Sequence, residues 1–230
     1  MDIAQIGSID LGQFGTALSA IAALGTAAFG LVDATKPFNG GISNVGYGFI
    51  RSALEPFEPA LRTISAEDPY VVVKANWLNG VAKTEQKAAT RNLIRLGFNT
   101  RTAASMAGHV LPDDHDLLIA TAQKIESGQM PSETELAVLA RFDAIIDARL
   151  DAAFERAEQK FRNTSRVAAA VIAILLAELG AAVIVGEKFT STTFWLALFI
   201  GFIAVPVAPI AKDLSSAIST AAAAFKAVRR

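Results

Sequence analysis

Glu178 asks more of its surroundings than any other residue. It stands inside VAAAVIAILLAELGAAVIVG, residues 167–186, between Arg166 and Glu187. A charged group at the centre of a bilayer costs roughly 2.5–3.5 kcal/mol on insertion scales, so such a residue marks a function by default. No Lys, Arg or His lies within any apolar segment long enough to cross a membrane. Desolvation without a cation favours the neutral acid, which can donate a hydrogen bond across a helix interface. Counting from the segment ends sets Ser19 and Trp195 near the same depth, so Glu178, Ser19 and Trp195 are the expected intramembrane polar cluster. One use of it is adhesion between helices. The other is a ring of Glu178 side chains along an ion or proton path in an oligomer. The rest of the Glu178 face (Val167, Val171, Ile174, Val185) is apolar, which disfavours conduction.

Two other groups could do chemistry. In GHVLPDDHD, His109 and His115 fall near Asp113 and Asp116 and are weak candidates for a metal site. Their spacing matches no strong ligand pattern. Pro112-Asp113-Asp114 reads instead as a helix start, with acidic side chains in the first turn. The second group is basic. Lys74, Lys83, Lys87, Arg91, Arg95 and Arg101 face only Glu85 over this stretch, and LIRLGFNTRTAASMAG has the outline of a helix-turn-helix. Lys87, Arg91, Arg95 and Arg101 form the candidate basic surface, for nucleic acid or anionic headgroups. Residues 113–151 hold nine carboxylates against Lys124, Arg141 and Arg149, so an acidic half is available to neutralise the basic one. With no cysteine, thiolate catalysis and Cys-based zinc sites are excluded. The net charge of −1 argues against a dedicated nucleic-acid protein. The glycine-rich ATKPFNGGISNVGYGF lacks the Lys-Ser/Thr ending of a phosphate loop and reads as a joint. No cofactor, metal or small-molecule substrate is expected, and no enzyme activity.

These residues need elements to hold them. A bilayer span takes about 20 apolar residues, and three segments qualify: 11–32, 167–186 and 189–211. The first is Ala- and Gly-rich. Gly15, Ser19, Ala22, Ala23, Thr26 and Gly30 give it a face of small residues for close helix packing. The N-terminal MDIAQIGSID has no positive region of the secretory kind. Lys36, Arg51, Lys160, Arg162, Arg166, Lys212, Lys226, Arg229 and Arg230 all fall on one side of the spans, which predicts an outside N-terminus and a cytoplasmic domain and C-terminus.

Ser132 and Glu135 form a capping box. Leu139, Phe142, Ile146, Leu150, Ala153, Ala157 and Phe161 then recur at helical spacing, which predicts a stalk helix over 132–162 continuing into the second span. A bend is expected near Arg162–Arg166. Pro206 and Pro209 should bend or end the third span. Leu214, Ile218, Ala221, Phe225 and Val228 then mark an amphipathic C-terminal helix.

The sequence thus predicts an all-α integral membrane protein of three spans, with an elongated helical cytoplasmic domain and a long stalk. Its expected parts are 1–36, 37–162, a transmembrane hairpin over 163–211, and 212–230. The expected setting is a bacterial inner membrane. The expected role is a structural or assembly subunit that scaffolds partners through its helices, in a homo-oligomer or among other membrane-complex subunits. An oligomeric channel using Glu178 and a membrane-tethered nucleic-acid binder are the alternatives.

Overall fold

The computed structural model describes residues 11–36, 38, 40–186 and 191–228, and among them it is all-helical, with no strand. The helices are α1 (Leu11–Asp33), α2 (Tyr47–Leu54), α3 (Glu58–Ile64), α4 (Val71–Leu78), α5 (Lys83–Leu96), α6 (Thr100–Val110), α7 (His115–Glu126), α8 (Glu133–Gly180) and α9 (Thr192–Val228). The chain divides into two compact units, one of residues 1–42 and 162–230, the other of residues 43–161.

In the first unit, α1, the C-terminal part of α8 and α9 meet on alanine. Ala28, Val32, Ala169, Ala173, Ala204 and Val205 form one buried cluster. The approach is close because glycine permits it. A Cβ at Gly25 would fall 2.5 Å from the Ala204 carbonyl oxygen, and one at Gly201 2.5 Å from Ile174 Cα. Three helices here are long and apolar enough to cross a membrane: 13–33, 133–183 and 192–210. Only 17–22% of each apolar window is buried within the chain. Val167, Val171, Leu175 and Leu179 stand exposed at successive turns of α8, as do Trp195, Phe199 and Phe202 on α9. Apolar surface of that extent suits hydrocarbon, not water. The chain is therefore a membrane protein by the length and composition of its helices.

Two expectations about this unit change. Pro206 and Pro209 do not end the third span, because α9 runs through both to Val228. The tail is thus continuous with the span and not a separate helix. Each proline removes one i to i−4 hydrogen bond, and the many bonds on either side hold the helical path. Just past the C-terminal end of α8, Ala181–Val185 forms a π-helical turn closed by Gly186 in the left-handed conformation (φ 73°).

In the second unit, α8 carries the core. Phe142, Ile146, Leu150, Ala153, Phe154 and Ala157 are buried, while Leu139 and Phe161 are half-buried. Phe142 packs edge-on to Phe57 at 6.1 Å and against Phe98 at 5.3 Å. Trp77 stacks near Phe154 and Phe161 and donates its indole N–H to the Ser43 carbonyl at 2.7 Å. YVVV joins this core as the start of α4, a helix in spite of its β-branched residues. Burial of Val73 overrides their local preference. Gly46 must be glycine on two counts: φ is 97°, and a Cβ would lie 2.4 Å from the Ala157 carbonyl oxygen.

Candidate functional site

The basic and acidic residues of the second unit are brought together. α5 places Lys83, Lys87, Arg91 and Arg95 four residues apart, on one face at one level per turn. α8 places Asp143, Asp147, Asp151 and Glu155 at the same interval. The two rows run antiparallel and pair rung by rung: Lys83 with Glu155, Lys87 with Asp151, Arg91 with Asp147 and Arg95 with Asp143. Arg95 is bidentate, with Nε donating to Asp143 Oδ1 at 2.9 Å and Nη2 to Oδ2. The bond from Lys87 pulls the Asp151 carboxyl below its usual range, and the bond to Glu155 raises the Lys83 ammonium. Three of the four residues of the candidate basic surface are therefore engaged in ion pairs on α8. Arg101 is elsewhere, on the exposed side of α6 beside a small cleft with Pro59, Arg62 and Ser105.

The helix pair itself is present. Asn99 caps α6, accepting from Thr102 N–H, while Thr102 Oγ1 accepts from the Asn99 N–H in return. Gly97 lets the turn press on α3, where a Cβ would lie 2.0 Å from the Ala60 carbonyl oxygen.

The candidate metal residues do not converge. His115 Nδ1 lies 3.0 Å from Asp116 Oδ1 of its own turn, and Asp114 pairs with Arg141. The carbonyl of His109 accepts from Arg149. Asp113 is exposed. Among the described residues no group of three His, Cys, Asp or Glu could hold a metal ion.

Among the described residues, Glu178 makes no hydrogen bond to Ser19 or Trp195. Both Glu178 oxygens are buried and accept or donate none. Ser19 Oγ donates to the Gly15 carbonyl at 2.9 Å, and Trp195 is 60% exposed. On the predicted small-residue face, Ala22 is buried and Gly15 half-buried, but Ser19, Ala23, Thr26 and Gly30 are exposed. The face that packs within the chain is rotated from it and runs through Ala22, Gly25, Ala28 and Val32. On the C-terminal face Leu214 is exposed. The side chains of Ile218, Ala221, Phe225 and Val228 lie outside the described residues.

One cluster was not anticipated. Tyr70 donates to Glu58 Oε2 at 2.7 Å, Arg62 Nε donates to Oε1 at 2.6 Å, and Arg51 lies 5.3 Å over the Tyr70 ring. Hydrogen bonds from Tyr70 and Arg62 hold the Glu58 carboxyl below its usual range, and burial pushes the Tyr47 phenol up to about 12. Its members come from α2, α3 and the turn before α4. No spacing rule connects Glu58 with Tyr70, so sequence alone carried no signal for it.

Compared with known protein families, curated proteins and solved structures, the chain matches none.

Proposed function

We propose that this chain is a membrane-anchored structural or assembly subunit, non-enzymatic, that holds partners through its second unit, on the cytoplasmic side of an inner membrane. One observation carries the reading. The basic charges along α5 are consumed internally, while Leu96, Ile125, Met130 and Leu136 stand exposed at one end of that unit. That they share an end follows from two contacts. Thr100, just past Leu96, donates through its N–H and hydroxyl to Glu126, next to Ile125. Lys124 pairs with Glu135, next to Leu136, and Met130 lies in the loop between. Apolar side chains gathered on a water-facing end mark a contact surface.

The test is Leu96→Asp combined with Met130→Asp. The account expects loss of co-purifying partners or copies from solubilised membranes, with the thermal unfolding of the chain unchanged. Retention of the full assembly by the double variant contradicts it.

A second reading is favoured by Glu178, whose buried oxygens find no hydrogen-bond partner among the described residues. An oligomeric proton or cation path would give them a use. Purified protein in vesicles with an imposed pH gradient separates the two readings. A scaffold gives no flux above empty vesicles, whereas a channel gives flux that Glu178→Gln abolishes.

A further inference from the structure

We infer that the first unit carries a binding site for an anionic phospholipid, built around Arg166. A cavity of about 560 Å³ lies among α1, α8 and α9. That is within the range of roughly 300–1,000 Å³ typical of small-ligand sites. Its walls are apolar, with Phe29 from α1, Val167 and Ala170 from α8, and Phe202 and Val205 from α9. Among the described residues lining it, the charged one is Arg166. Arg166 is exposed and sits where α8 turns from charged to apolar sequence. Among the described residues no carboxylate pairs with it.

A lone guanidinium beside an apolar cavity in a membrane helix asks for a ligand with an anionic head and a hydrocarbon tail. Arg presents a rigid fork of donors that matches phosphate. Basic pockets between transmembrane helices bind anionic headgroups by this chemistry.

Pro206 and Pro209 both line the cavity and neither has an N–H. The carbonyls four residues earlier, at Phe202 and Val205, lose the donor an α-helix would supply. Those two residues line the same cavity. The site thus combines a phosphate donor with an apolar space for an acyl chain. The occupant that meets both is a phospholipid with a net negative charge, of which phosphatidylglycerol is a simple probe.

The experiment is native mass spectrometry of the purified full chain, delipidated and titrated with phosphatidylglycerol or phosphatidylcholine in one detergent. Wild type should retain one phosphatidylglycerol at a concentration at least tenfold below that needed for phosphatidylcholine. Arg166→Gln should bring the two within twofold. Ala170→Phe, which fills the cavity and keeps the charge, should lower occupancy by both. Circular dichroism of each variant establishes that the helices persist. Absence of a headgroup preference in wild type overturns the site. So does a wild-type preference in Arg166→Gln, undiminished occupancy in Ala170→Phe, or graded uptake of many lipids with no saturating first one.

Discussion

Arg91 of α5 and Asp147 of α8 face each other with Nη1 3.0 Å from Oδ2, one of the two inner rungs of a four-rung ladder between antiparallel helices. The pairing fixes register as much as it adds stability. A slip of α5 by one turn would leave an unpaired charge at each end of the ladder. Exposed pairs contribute about 0.2–1 kcal/mol each, and networks with bidentate members sit at the upper end. Arg91→Glu should therefore destabilise the protein by about 1–2 kcal/mol, since a lost attraction is joined by repulsion. The double variant Arg91→Glu/Asp147→Arg should recover at least half of that loss. Thermal unfolding of the detergent-solubilised chain at low and high salt checks both, the single variant's deficit shrinking as salt rises.

The glycines of the first unit give a paired prediction. Gly25 is pressed against α9, with Ala204 O and Ala208 Cβ 2.5 and 2.6 Å from where a Cβ would be, whereas Gly30 has nothing within 4 Å. Gly25→Ala should destabilise the helix packing by about 1–3 kcal/mol through overpacking. Gly30→Ala should be neutral or stabilise by about 0.5–1 kcal/mol through helix propensity. Resistance of each variant to unfolding by sodium dodecyl sulfate reads the difference.

Acid should loosen the second unit within a definite window. The hydrogen bond from Lys124 and then that from the Ser132 N–H hold the Glu135 carboxyl at about 2, below its ordinary 4.5. A depressed carboxylate contributes stability that is fully present above its unfolded value and is lost as pH falls through its folded value. Unfolding temperature should thus decline as pH drops from about 4.5 toward 2. Asp151 and Glu126, lowered by bonds from Lys87 and Thr100, act in the same direction. Glu135→Gln should start lower and decline less, as differential scanning calorimetry across that range would show.

Glu178 offers a substitution that most polar-to-apolar changes do not. Its buried oxygens have no hydrogen bond among the described residues, so Glu178→Leu removes an unsatisfied group instead of breaking a bond. An isolated chain should melt at the same temperature or higher. A lower melting temperature only in the assembled form would show that a neighbouring subunit supplies its partner.

Much of this architecture was written in local patterns, and what was missed was written elsewhere. The Ser132/Glu135 capping box, the apolar spacing from Phe142 to Ala157 and the length of the apolar segments are each determined within a few turns, and they marked the helices. The ladder was half legible. The basic run at 83–95 and the acidic run at 143–155 suggested mutual neutralisation, but their antiparallel register depends on tertiary packing. The spacing of small residues in α1 points to a face through Ser19 and Gly30, one of several that an Ala- and Gly-rich helix presents. Only the positions of Ala204 and Ala208 on α9 select Gly25 instead. The prolines of α9 carry a local signal to stop, which the surrounding helix overrides. Glu58 and Arg62 are spaced as an i, i+4 pair on α3, but nothing local joins them to Tyr70.

The most direct test of the scaffold reading is the mass of the intact complex, solubilised gently from its native membrane and measured by native mass spectrometry. The account predicts a mass well above the 24.2 kDa of one chain, from further copies or from other subunits in fixed stoichiometry. A lone 24.2 kDa monomer, with Leu96 and Met130 exposed and nothing bound, would contradict it.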